Sequence, residues 1–153
     1  MLVDVEVCLE RITMPVLNFH LVQGQHAASR VETLLLRASQ LFSEVLCCPI
    51  DRIRVFVTEH AAQHACVGGK LVSQHDQAAP YFNFIVLQGR PLEDRHRLLA
   101  GFTDLLVELL GCKRELVRGG VITIAPEDWS IGGVPASRLR QAEIEARKMA
   151  AKP

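Results

Sequence analysis

The chain has 153 residues, 49% of them hydrophobic, which is enough for one domain with a substantial core. Lys plus Arg and Asp plus Glu number 17 each, so the formal charge is zero and no long-range field would draw nucleic acid or an anionic membrane surface. Five cysteines (Cys8, Cys47, Cys48, Cys66 and Cys112) lack any Cys-x-x-Cys spacing, which argues against a disulfide framework and against a zinc site.

The amino terminus has no basic start and carries acids within its apolar run, unlike a secretory signal. No stretch has the length of a membrane span, so the expectation is a soluble, cytoplasmic protein that does not engage membranes. Residues 1–13 alternate Val3, Val5 and Val7 against Asp4 and Glu6, which has two readings. They form either an added strand or an extension produced by a start codon taken too early. Glu10-Arg11 can be encoded as a ribosome-binding sequence just before the Met14 codon.

From Met14 onward a single domain is expected, running to residue 153 and built from two similar halves, about 15–60 and 81–135. Asn18-Phe19 and Gln23-Gly24 recur as Asn83-Phe84 and Gln88-Gly89, 65 positions on. Val16 to Val22 predicts a strand with Leu17, Phe19 and Leu21 on one face and Asn18 and His20 on the other. From about Gln25 to Cys48, Val31, Leu34, Leu35, Ala38, Leu41, Phe42 and Val45 fall at helical spacing, and Ser29 with Glu32 suggests a capping box. Pro49 stops this helix, and the β-branched run from Ile53 to Thr58 returns as a parallel strand. Residues 59–80 have a loop composition, with a short strand at Lys70 to Ser73; His60 and His64 read as loop residues because no third ligand stands at a fitting interval.

The second half repeats the plan. Phe82 to Leu87 is a strand, Pro91 opens a helix with acids in its first turn, and Leu98, Leu99, Phe102, Leu105, Leu106 and Leu109 form its buried stripe up to Gly111. Val121 to Ala125 is the matching strand. Pro126-Glu127-Asp128-Trp129-Ser130 then turns into a charged helix over about 137–149, with a Glu143–Arg147 pair.

The Met-Pro opening of the first strand, the tandem βαβ units, Gly89-Arg90 at the mouth of the second helix and Asp128-Trp129-Ser130 together resemble the tautomerase superfamily. Its short member is 4-oxalocrotonate tautomerase (4-OT). Within that group, Val57-Thr58-Glu59-His60 and Asp128-Trp129-Ser130 make the sequence most similar to malonate semialdehyde decarboxylases. The resemblance covers about residues 14–135. It implies an α+β fold of βαββαβ order, with a four-stranded mixed sheet and two helices on one face. It also implies a homotrimer and chemistry on a small oxo acid, needing neither metal nor organic cofactor.

The resemblance further implies that Pro15, once Met14 is removed, acts through its free secondary amine. An α-amino group titrates near ~8, close enough to neutrality to serve as acid or base. Inside a chain the same nitrogen is an amide without a proton, and Pro15 is then only a strand-edge residue. Arg90 corresponds to the arginine that grips the substrate carboxylate, and its loss is expected to affect binding more than folding. Asp51 corresponds to the decarboxylase aspartate that keeps the amine protonated, with a plain turn aspartate as the other reading. Trp129 is either a pocket wall or core. Gln88 replaces a second family arginine, which weakens the decarboxylase assignment. The alternative function is a catalytically silent trimer whose proline stays blocked by the extension.

Overall fold

The computed structural model describes residues 14–150, with nothing said of the side chains of Glu143, Ile144, Ala146, Arg147, Lys148 and Ala150. The expected strand over residues 3–7 and the Glu143–Arg147 pair therefore lie outside what is described. Strands β1 (Val16–Val22), β2 (Arg54–His60), β5 (Tyr81–Leu87) and β6 (Arg118–Ile124) form one sheet in the order β2-β1-β5-β6. The two outer pairings are parallel and the central β1–β5 pairing is antiparallel, so the sheet is mixed. Asn18 stands opposite Asn83 at its centre.

Period-two alternation decides which face is covered. Leu17, Phe19 and Leu21 of β1 and Phe82, Phe84 and Val86 of β5 are buried on one face. Helices α1 (Ala28–Leu46) and α2 (Leu92–Leu110) lie against that face through Leu34, Ala38, Phe42, Leu98, Phe102 and Leu106. Phe102 meets Phe19, Phe42, Phe82 and Phe84 edge-on with ring centroids 5.0–6.2 Å apart, an arrangement aromatic quadrupoles favour. Gly119 lies opposite Phe82 across the β5–β6 pairing, and a Cβ there would enter the Phe82 ring. Among the described residues the opposite face, with Asn18, His20, Phe56, Tyr81 and Ile122, carries no helix, and Phe56 and Ile122 are 55% and 49% exposed.

The halves repeat element by element. Each βαβ unit is followed by a short 3-10 turn and a two-residue hairpin: β3 (Cys66–Val67) with β4 (Lys70–Leu71), and β7 (Ser130–Ile131) with β8 (Val134–Pro135). The Arg54 N–H donates to the Pro15 carbonyl and the Arg118 N–H to the Pro80 carbonyl, each at 3.1 Å. A third helix, α3 (Ala136–Ala150), follows β8 directly.

Local expectations needed adjusting at several ends. Helix α1 starts at Ala28, with Ala27 as an N-cap lacking a side-chain hydrogen bond, so no Ser29–Glu32 capping box forms. Ser29 lies inside the helix, where its carbonyl accepts from the Thr33 hydroxyl. The helix closes on Cys47 in the left-handed region (φ 50), and α2 closes on Gly111 at φ 68, the residue type that takes this conformation without strain. The strand expected over Lys70 to Ser73 is only the two-residue β4. β2 extends to His60, which takes that histidine out of the loop.

Candidate active site

Pro15 immediately precedes β1 and is fully buried. It lines a crevice of about 10 Å³ together with Met14, Leu46, Ile85, Val86, Leu87 and Trp129. That volume is about what one water molecule requires, and the walls are almost wholly apolar. Leu46 is the last residue of α1, while Ile85 to Leu87 end β5, so the crevice opens where the central strands meet a helix end.

Arg90 lies in the turn between β5 and α2 and is 8% exposed, the one buried charged side chain among the described residues. Its Nη1 donates to the Leu46 carbonyl at 3.0 Å, one of the carbonyls a helix leaves open at its last turn. Arg90 is thus not the surface charge on which the expectation of a larger effect on binding than on folding rested: its guanidinium is taken out of water and bonded to backbone. Leu46 thus joins the two positions, lining the crevice with Pro15 while Arg90 holds its carbonyl.

Trp129 is half-buried at the end of the 3-10 turn Pro126–Asp128, and its Nε1 is buried with no hydrogen-bond partner among the described residues. Its carbonyl accepts from the Ala136 N–H at 2.8 Å, which ties the wall to the start of α3. Asp51 sits apart. It is exposed, within the 3-10 turn Ile50–Arg52, and its carbonyl accepts from Arg54 Nη1 at 3.0 Å. Pro15 and Trp129 therefore line the crevice with Leu46, whose carbonyl Arg90 holds, while neither the Arg90 nor the Asp51 side chain is among the lining residues.

A second polar cluster lies on the helix-free face. His20 Nδ1 and His60 Nε2 share a hydrogen bond at 2.9 Å, which sets the two rings edge to edge and nearly parallel (15°) with centroids 5.2 Å apart, and the Tyr81 ring lies 5.4 Å from His20 at 27°. The Asn18 amide donates to His20 Nε2 at 3.3 Å and the Thr58 hydroxyl donates to Asn18 Oδ1 at 3.0 Å. A neutral His20 that accepts at Nε2 carries its proton on Nδ1 and donates it to His60. Burial, then the charge of His60, lowers the pKa of His20. Among the described residues, no three His, Cys, Asp or Glu side chains are grouped to hold a metal. The cluster escapes sequence reading because His20 and His60 are 40 residues apart; the one hint was His20 sharing a strand face with Asn18.

No family model matches the sequence. A 2-hydroxymuconate tautomerase of Pseudomonas putida is 34% identical over 61 residues, which take in 95% of that protein and 40% of this chain. The relative is thus shorter than half of this chain. A native fused 4-OT matches with a TM-score of 0.74 at 27% identity, covering 81% of this chain and 98% of that one. The wild-type asymmetric trimer of another fused 4-OT gives 0.73 at 25% identity over 81% and 98%. The fold is therefore that of the α+β proteins in which two βαβ units share one mixed sheet. By its likeness to the Pseudomonas enzyme, the chain belongs to the tautomerase superfamily, of the 4-OT-like kind.

Proposed function

We propose that this chain is a cofactor-free tautomerase that interconverts the enol and keto forms of a small oxo acid, working as a homotrimer with Pro15 as its proton-transfer group. In this reading, Pro15 becomes the chain terminus when Met14 is removed. Its nitrogen takes the enol proton and returns it at carbon. The observation that carries the reading is the convergence of buried Pro15, Trp129 and the Arg90-held end of α1 on one crevice.

Each residue would have a separable task. Apolar walls penalise the charged form of an amine and so favour a neutral base. Arg90 supplies the charge that attracts a carboxylate, and the Trp129 indole N–H adds a donor where Gln88 replaces the family's second arginine. Asp51 enters the reading as a solvent-screened charge, since its side chain is exposed and does not line the crevice. That placement favours proton abstraction over malonate semialdehyde-type decarboxylation, which needs the amine held protonated. The tautomerase relative supports the same preference.

The test compares two start sites. A chain beginning at Met14 and processed to Pro15 should tautomerise the enol of phenylpyruvate, while the 153-residue form, confirmed by intact mass, should not. Acylation removes both the lone pair and the protonated form of the nitrogen, so no change of pH restores it. Equal activity in the two forms would remove Pro15 from the chemistry. Activity in neither form would favour the silent trimer, and carbon dioxide release from malonate semialdehyde would favour the decarboxylase.

A further inference from the structure

The Pro15 crevice has a counterpart in the other half of the molecule. Pro80 takes the place of Pro15, and His20, Leu21 and Val22 take the places of Ile85, Val86 and Leu87, all 65 positions apart. Ala65 stands where Trp129 stands: the Val72 N–H donates to the Ala65 carbonyl at 2.9 Å just as Ala136 does to Trp129 at 2.8 Å. With a methyl group in place of an indole, the space widens from about 10 Å³ to about 210 Å³. This is room for a small molecule, below the range of drug-sized pockets.

The chemistry available differs from that of the first crevice. Pro80 lies within the chain, so its nitrogen is an amide and transfers no proton. Four imidazoles (His20, His26, His60 and His64) line the pocket instead, and among the described residues no Asp, Glu, Lys or Arg does. We propose that this second pocket binds a small planar monocarboxylate, the His20–His60 pair taking up one proton as the anion enters.

Three observations support it. The near-parallel rings of His60, His20 and Tyr81 make a flat wall of the kind on which a planar ligand stacks. With no lysine or arginine in the lining, the countercharge for an anion must come from an imidazolium. The pair accepts one added proton and not two, because imidazoliums facing each other at 2.9 Å would repel and lose their hydrogen bond.

Burial, then the charge of His60, lowers the pKa of His20 while the pocket is free, and the charge of a bound carboxylate opposes that lowering. The charged and titratable groups around the pair are few. Asp76 hydrogen-bonds Gln25 at the rim and pulls His26 upward against a larger lowering by burial. Arg118 of β6 lies opposite Tyr81, and Cys66 of β3 closes the far side.

The test uses the full 153-residue chain with benzoate as the planar anion and benzamide as its neutral equivalent, followed through histidine ring and Trp129 indole NMR resonances. Benzoate should shift the His20 and His60 resonances and bind more tightly as pH falls from about 7.5 to about 5.5, by at most about tenfold per pH unit for one proton taken up. Ala65→Trp should fill the pocket and abolish binding, and His60→Gln should flatten the pH dependence. No binding at millimolar benzoate, equal binding of benzamide, shifts confined to the Trp129 indole, or unchanged affinity in Ala65→Trp would each overturn the proposal. If Ala65→Trp does not fold, an unaltered pH profile in His60→Gln overturns it. In this full-length form Pro15 is blocked, so the outcome does not depend on the tautomerase reading.

Discussion

Arg90 shows how one side chain serves two ends. A guanidinium at 8% exposure has given up most of its hydration, and its bond to the Leu46 carbonyl recovers part of that while fixing the end of α1 beside Pro15. Arg90→Ala should therefore cost about 1–3 kcal/mol in a urea denaturation and, in the Pro15-started enzyme, raise KM for an oxo acid by at least about tenfold. An unchanged KM would leave Arg90 a purely structural residue. The histidine pair makes a pH prediction at the same scale. His20 has a folded-state pKa below the ordinary 6.5, through burial first and His60 second, so the unfolded chain binds more protons between the two values. Stability from this group is complete above about pH 6.5 and falls as the solution is acidified below it. Urea midpoints should drop from pH 7.5 to pH 5.5, by less in His60→Gln, and an identical drop in both proteins would exclude the pair as the cause.

At the scale of elements, helices α1 and α2 are equal in length, but their beginnings differ. α2 starts after Pro91 with Glu93 and Asp94 in its first turn, where negative charge meets the positive end of the helix dipole. α1 starts after Ala27, which has extended backbone dihedrals fit for a cap, no side-chain hydrogen bond and no acid in the turn that follows. Ala27→Asp supplies the missing acceptor, and thermal unfolding should report a gain of about 0.5–2 kcal/mol. A loss would mean the α1 start is already satisfied by other groups. Between the two helices the Leu41 side chain packs over Gly101, where an added Cβ would come within 2.5 Å of Leu41 Cδ2 and that side chain would have to shift.

The whole molecule has an unbalanced sheet. One face is covered by two helices, while the other presents Phe56, Tyr81 and Ile122 at 44–55% exposure between two outer strands with open edges. Apolar surface and unpaired strand edges of this kind invite association, and closed symmetry satisfies them without runaway aggregation. We expect a homotrimer in solution, contacts coming from the sheet edges and from residues 59–80 and 126–150 outside the histidine-lined pocket, and light scattering should give three times the subunit mass. Phe56→Asp, on the outer strand β2 and its helix-free face, should shift that mass toward the monomer. A wild-type monomer at micromolar concentration would exclude the assembly. Among the described residues, no helix is long and apolar enough to cross a membrane.

Periodicity by itself determined the order of the main elements, because a strand that buries one face must alternate and a helix that buries a stripe must repeat near every 3.6 residues. Leu17, Phe19 and Leu21, and likewise Leu98, Phe102 and Leu106, carry that pattern openly, as does the recurrence of Asn18-Phe19 at Asn83-Phe84. Element ends were less legible, since competing local signals decide them: Ser29 promised a cap, but the chain turns helical one residue earlier. Tertiary structure alone decided what the polar residues do. Leu46 with Arg90, and His20 with His60, are 44 and 40 positions apart, and only the closing of the sheet and the packing of α1 bring them together. Burial depth followed the same logic: Arg90 and Asp51 are equally charged letters in the sequence. Packing around the end of α1 takes one out of water and leaves the other in it, because only Arg90 finds an open helix carbonyl to bond.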